Sequence, residues 1–331
     1  MNSPKKAVAA LACAVAVVAT AAGAPAGNAR VPRVGTVVAR ISIPQGSGGL
    51  AVGESAVWAM SDVDSTLLRI DPARNAVIAR VGIKPSKQCP AFPQACSEAA
   101  AGNGAVWVSH PSDNTVSRVD PQTNSVTATI PVGPHPDGIA VSPGAVWVAN
   151  SGGPSVSRID PATNRVVATI RVGPARACCS DFMQLTTGAG SVWVGVPNLT
   201  SIVRVDPERN AVVARIHLSG KPNGFLAADQ RATWAASAHA GSVIWRVNPR
   251  TNRSSETVEG PLVAPIGLAL GFGSLWVADL DAKTIDRVNP RTSRIVGRLR
   301  VGGYPIRPEI GFGSLWVRDD SGRVLRIRPR R

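Results

Sequence analysis

Aromatic residues are scarce in this 331-residue chain, at 4% with one Tyr, five Phe and eight Trp. So few stacking side chains argue against a platform for single-stranded nucleic acid. Helical periodicity is missing throughout, which excludes a helical domain. Beyond the N-terminal apolar run, no segment is long and apolar enough to span a bilayer. Acidic residues are also few, 21 against 36 Lys and Arg, giving a formal charge of +15. Cysteine is limited to five, two of them the neighbours Cys178 and Cys179, and that spacing is not one of a zinc site.

What is present begins with "MNSPKKAVAALACAVAVVATAAGAPAGNA", in which Lys5 and Lys6 precede an apolar Ala7–Ala22 run and then small residues. That order is a Sec signal peptide, residues 1–29, cleaved near Ala26 or Ala29. The expectation is a secreted or periplasmic protein, residues 30–331 forming a single domain with no transmembrane segment left after cleavage. Cys13 lies inside the apolar run, and the Leu in "ALAC" stands in the wrong slot for a lipoprotein box. The four remaining cysteines, Cys89, Cys96, Cys178 and Cys179, are disulfide candidates in an oxidising compartment. A Cys89–Cys96 bridge would leave Cys178 and Cys179 to pair as strained neighbours. Cross-linking the two cysteine-bearing segments avoids that strain and is favoured.

Abundant Gly (32) and Pro (27) mark many turns, and between them runs a repeat. Trp58, Trp107, Trp147, Trp193, Trp234, Trp276 and Trp316 each sit in a "VW"-like strand, spaced 49, 40, 46, 41, 42 and 40 residues apart. After each comes an Arg in an Arg-[Ile/Val]-x-Pro step: Arg69, Arg118, Arg158, Arg204, Arg246, Arg287 and Arg326. A "DPATN"-type turn then leads into an alternating run such as "RVVATIRVG". Each unit reads as four short β-strands bounded by turn residues. Four-stranded units at this period build an all-β, seven-bladed β-propeller of antiparallel blades. The seventh unit ends at "VLRIRPRR" without an outer strand, while "GTVVARISIPQG" near the N-terminus is an unattached one. The N-terminal strand is therefore expected to join the last blade and close the ring, and a closed ring with no spare edge reads as a monomer.

In a hairpin centred on 151–154, Trp147 and Arg158 face each other across two strands. Stacking of guanidinium on indole would be worth about 0.5–2 kcal/mol. The fourteen repeated Trp and Arg residues thus read as architecture, and function is sought where the repeat is broken. The breaks fall on the face carrying the loops after each "VW" strand and the connections between blades, around the channel mouth. Two insertions, "IKPSKQCPAFPQACSEA" and "PARACCSDFMQLTT", hold every cysteine of the domain. On the same face are His110, and His135 with Asp137, whose pairing would suit acid–base catalysis. Lys221, Asn223, His239, Tyr304, Arg307 and Arg318 lie there as well. Asp279, Asp281, Asp319 and Asp320 could gather around Mg or Ca from adjacent blades. The expected partner is a protein or small-molecule ligand on this mouth face. The basic ending "RVLRIRPRR" adds an anionic polymer as a further partner for the C-terminal blades.

The pattern "GxGxVWVA…VxRIDPxTNxVVATIxVG" resembles the YVTN-type, YncE-like bacterial propeller repeat over essentially the whole domain. That resemblance implies an envelope or secreted binding scaffold with no defined reaction. The architecture and period also resemble the virginiamycin B (streptogramin) lyases. These open a cyclic depsipeptide by elimination, with a histidine base and a magnesium ion at the propeller mouth. By this second resemblance the chain would be a metal-dependent carbon–oxygen lyase. The segments following each "VW", from "SDVD" to "DDSGR", contain no glutamate-and-histidine pair, so the lyase residues are not carried onto numbered positions.

Overall fold

The computed structural model describes residues 32–45, 48–83, 97–174, 182–222, 224–237, 242–256, 258 and 260–330. The signal-peptide reading, the four candidate disulfide cysteines, Asn223 and His239 lie outside the described residues. Seven four-stranded antiparallel sheets follow one another, six of them built from consecutive strands. Blade 3 is typical: Pro136–Ser142, Ala145–Asn150, Ser155–Asp160 and Arg165–Arg171, from the channel outward. In the seventh sheet the strand Gly35–Ser42 lies against Arg323–Pro329, followed inward by Ser314–Asp319 and Pro305–Gly311. The N-terminal strand closes the ring, with Gly35 opposite Pro329 and Ser42 opposite Arg323.

The core comprises seven layers, one between each pair of neighbouring blades, and a smaller eighth cluster of Ala264, Ile266, Leu280 and Ile306. The layer between blades 3 and 4, for example, joins Trp147, Val156 and Val172 to Val192, Val194 and Val203. A blade's second strand is covered on both faces, so "AVWVAN" is buried at all six positions. The pleat sends successive side chains to opposite seams. Trp107 enters the seam with blade 3, while Val106 and Val108 enter the seam with blade 1.

The Trp–Arg pairs form as the hairpin register requires. Trp147 lies opposite Arg158, and all seven guanidiniums stack over their Trp rings with carbon-to-centroid distances of 5.1–5.8 Å. The same arginines also reach forward into the next blade. Arg118 Nη1 donates to Pro161 O at 2.9 Å and to Asn164 Oδ1 at 2.8 Å. Arg158 makes the equivalent bonds to Pro207 O and Asn210 Oδ1. Arg326 carries the series across the ring closure to Asn75 Oδ1, at 2.9 Å. The "DPxTN" turn thus has two uses for its Asn. Its φ of about +55° is the left-handed conformation that Asn tolerates (Asn164, +56°), and its side chain is the acceptor that one blade presents to the previous one.

At the seam between blades 5 and 6 the acceptor is missing. Ser293 stands in the Asn place at φ +57° and cannot offer the amide oxygen that Arg158 Nη1, for example, finds in Asn210. Ser293→Asn is expected to stabilise the fold by about 1 kcal/mol, the worth of one added hydrogen bond. Thermal unfolding checks this, and an unchanged midpoint would mean that the Asn–Arg bond contributes nothing at the other seams.

The seven inner strands surround a central channel. The residues opposite the seven tryptophans define one level of it: Ala51, Ala100, Ala140, Thr186, Ala227, Ala269 and Glu309. Convergence of seven strands demands small side chains there, and blade 7 alone departs from this with a glutamate.

Candidate functional site

The connections into the inner strands lie at the same end as the loops between second and third strands, since Pro136 pairs with Asn150 and Asn150 with Ser155. His135 occupies such a connection. Its backbone takes φ +51°, held by a hydrogen bond from its N–H to Asn114 Oδ1 of blade 2 at 2.8 Å. Its Nδ1 is 2.9 Å from Asp137 Oδ1 and 3.0 Å from Ser151 Oγ. Asp137 is 1% exposed, and its second oxygen accepts from Met183 N–H of blade 4 at 3.1 Å. The His135 side chain is half exposed. With Nδ1–H directed at the carboxylate, Nε2 is the nitrogen left to face a ligand, an arrangement that suits proton transfer.

The hydrogen bond that His135 donates to Asp137 raises the His135 pKa above its ordinary 6.5, outweighing burial, which lowers it. A raised folded pKa means that protonation stabilises the fold. That contribution is complete below the unfolded value and is lost as pH rises through the folded one. Histidine NMR titration is expected to place His135 above 6.5 in the native protein, with Asp137→Asn bringing it down. A wild-type value at or below 6.5 would contradict the hydrogen bond.

The other candidates are placed differently. His110 is 1% exposed, its Nε2 2.8 Å from Ser117 Oγ, so it is turned into the blade rather than toward a ligand. Asp279 is fully buried and accepts from the amides of Val263 at 2.8 Å and Ala264 at 2.9 Å. Asp319, also fully buried, accepts from Tyr304 N–H and Ser321 N–H, both at 3.0 Å, and from Arg323 Nη2 at 2.8 Å. Gly303 is needed beside it, because a Cβ there would fall on the Asp319 carboxylate. Burial raises the pKa of Asp320, with Arg318 opposing. Arg318, fully buried, is pushed down to about 10 by burial, with Asp62 and Asp320 offsetting. Asp281 is exposed.

The four carboxylates are therefore not brought together. Asp279 and Asp319 hold the backbone of their own interblade connections, because a buried amide needs an acceptor. Among the described residues no three His, Cys, Asp or Glu side chains converge to ligate a metal. The described residues do not form the magnesium site that the lyase resemblance implies.

One constellation was not foreseen. Arg307, singled out as a mouth residue, runs into the channel and forms an ion pair with Glu98 of blade 2, which is fully buried. Its guanidinium also lies over the Phe225 ring of blade 5 at 4.6 Å, and its Nε is 3.3 Å from Glu309 Oε1. The signal was available in the repeat. Blade 6 reads "PIGLALG" where blade 7 reads "PIRPEIG", two charges in place of a glycine and an alanine.

No protein-family model and no curated protein matches this chain. Solved structures do. A streptogramin B lyase structure superposes with a TM-score of 0.72 at 16% identity, covering 87% of this chain and 95% of that one. A virginiamycin B lyase from Staphylococcus aureus gives 0.70 at 14%, covering 88% and 98%. BamB from Moraxella catarrhalis gives 0.59 at 17%, covering 85% and 82%. At such identities the likeness carries the fold alone: this chain has the propeller architecture of the streptogramin lyases.

Proposed function

We propose that this chain is an exported propeller that binds a ligand or protein partner on its mouth face. The observation that carries this reading is the use made of Asp279 and Asp319. Both are fully buried and clamp interblade connections by their amides, so the connections at 263–264 and 304 are held in place before any partner arrives. Preorganised loops lower the ordering cost of association. Beside them the same face offers His135 and the exposed Tyr304, with Lys283 Nζ 4.5 Å from the Tyr304 ring centre. A sheet scaffold with variable loops at one end suits recognition.

The test compares two surfaces. Tyr304→Ala with Lys221→Glu alters the mouth, while Arg74→Glu with Arg209→Glu alters the opposite, turn-bearing face. Crosslinking in the native envelope or culture fluid is expected to give the same adduct for wild type and the turn-face variant, and to lose it for the mouth variant. Loss with the turn-face variant alone would overturn the reading.

The His135–Asp137 pair supports a second reading, an enzyme of the streptogramin lyase kind. A carboxylate-oriented histidine is a competent base, and a solved neighbour is a virginiamycin B lyase with quinupristin. Incubation with quinupristin decides it: a linearised product that His135→Ala abolishes would favour this reading, and intact depsipeptide would dismiss it.

A further inference from the structure

The channel itself carries an inference separate from the mouth face. The inner strands enclose a cavity of about 320 Å³ whose lining is Ala, Val, Leu and Ile apart from Thr186, Arg307 and Glu309. Glu309 occupies the level at which five of the other six blades carry alanine and the sixth carries Thr186. Nothing in the packing of seven converging strands calls for a carboxylate there.

The charge is also unbalanced. Arg307 is the one cation among the cavity's lining residues, and it is already ion-paired with the buried Glu98. Its face is taken by Phe225. Its Nε is the atom that reaches Glu309, at 3.3 Å. Among the described residues one guanidinium therefore serves two carboxylates, Glu98 and Glu309. The Glu309 side chain keeps 34% exposure. Burial holds its carboxyl above the ordinary range, and the nearby Arg307 offsets this only in part. An ionised carboxylate in such a site is stabilised by a second cation. The walls select what that cation can be attached to. The side chains at this level are small, so the channel admits a thin, unbranched stem, and a cavity of this size suits a small ligand.

The geometry points to a channel site for a slender ammonium ion, its head on the Glu309 carboxylate and its stem along the narrow channel. The ligand class is a primary alkylamine or a linear diamine in its protonated form. Neutral alcohols of the same length lack the charge, and carboxylates of the same length would meet Glu309 as like charge.

The experiment is calorimetric titration of the full chain with n-hexylammonium, 1-hexanol and hexanoate at neutral pH. Two variants accompany it. Glu309→Ala restores the residue that the repeat itself carries at this level, and Glu309→Gln keeps the shape without the charge. Hexylammonium is expected to bind the wild type with a stoichiometry of one and at least tenfold more tightly than hexanol, and to lose at least tenfold in affinity in both variants. Equal affinity for hexylammonium and hexanol, an unchanged affinity in a folded Glu309→Ala protein, or no binding to wild type would each overturn the proposal. Tighter binding of hexanoate would overturn it too and reassign the cavity to Arg307. Tyr304→Ala with Lys221→Glu is expected to leave hexylammonium binding unchanged, so failure here and failure of the mouth-face reading are told apart.

Discussion

Deleting residues 32–42 is expected to leave a chain that no longer folds to a stable monomer. The strand Arg323–Pro329 would lose the partner against which seven of its residue pairs are formed. Two seams would lose apolar packing at the same time, because Val34 belongs to the layer between blades 6 and 7 and Ile41 to that between blades 7 and 1. Burial of these two side chains is worth about 3–6 kcal/mol. Two further backbone bonds would go, Arg298 N–H to Pro32 O and Arg330 N–H to Val34 O. Against a typical net stability of about 5–15 kcal/mol the loss is decisive. Size-exclusion chromatography and thermal unfolding of the truncated protein check this, and a synthetic peptide spanning 32–44 is expected to restore part of the transition. A monomer that melts within a few degrees of the full chain would refute the closure by this strand.

Glu98→Ala has the second largest expected effect. The substitution leaves Arg307 buried without one of its two counter-charges. Removing one partner of a buried ion pair costs about 3–5 kcal/mol, since the remaining charge is uncompensated. Glu309, 3.3 Å from Arg307 Nε, can take over part of the task, so a value near the lower end, about 3 kcal/mol, is expected. The double variant Glu98→Ala, Arg307→Gly removes both charges and puts at 307 the residue that blade 6 has in the corresponding place, Gly267. It is expected to be more stable than Glu98→Ala alone. Denaturant unfolding of the wild type, the two single variants and the double variant closes the cycle. A single-variant loss below about 1 kcal/mol would show that the pair is not desolvated.

These effects divide along the line between local and distant information. Blade number, ring closure and the Trp–Arg register were legible because each follows from periods and hairpin spacings inside one unit. Trp147 and Arg158 are joined by a short loop, and arithmetic on that loop suffices. The second bond of each arginine was not legible, since Arg158 and its acceptor Asn210 are 52 residues apart and a turn explains the Asn without help. Asp279 and Asp319 read as loop carboxylates free for a cation. Their real partners are backbone amides 15 or 16 residues earlier in the chain, and amides leave no mark in a residue pattern. Of the candidate site, only His135 with Asp137 was read as a pair, being two positions apart. Glu98 and Arg307 come from blades 2 and 7, and only the curvature of the ring brings them face to face.

The arginine bonds all point one way round the ring. Blade 2 holds blade 3, blade 3 holds blade 4, and blade 7 holds blade 1 through Arg326. Even blade 6 finds a substitute acceptor, Arg287 Nη1 reaching Arg330 O at 2.9 Å. The joint where chain ends meet, which has no covalent connection within its own sheet, is therefore fastened as firmly as the rest. The exception lies elsewhere, between blades 5 and 6, where Ser293 offers Arg246 no amide oxygen. If the circle breathes, it parts at that covalently continuous seam before it parts at its own ends.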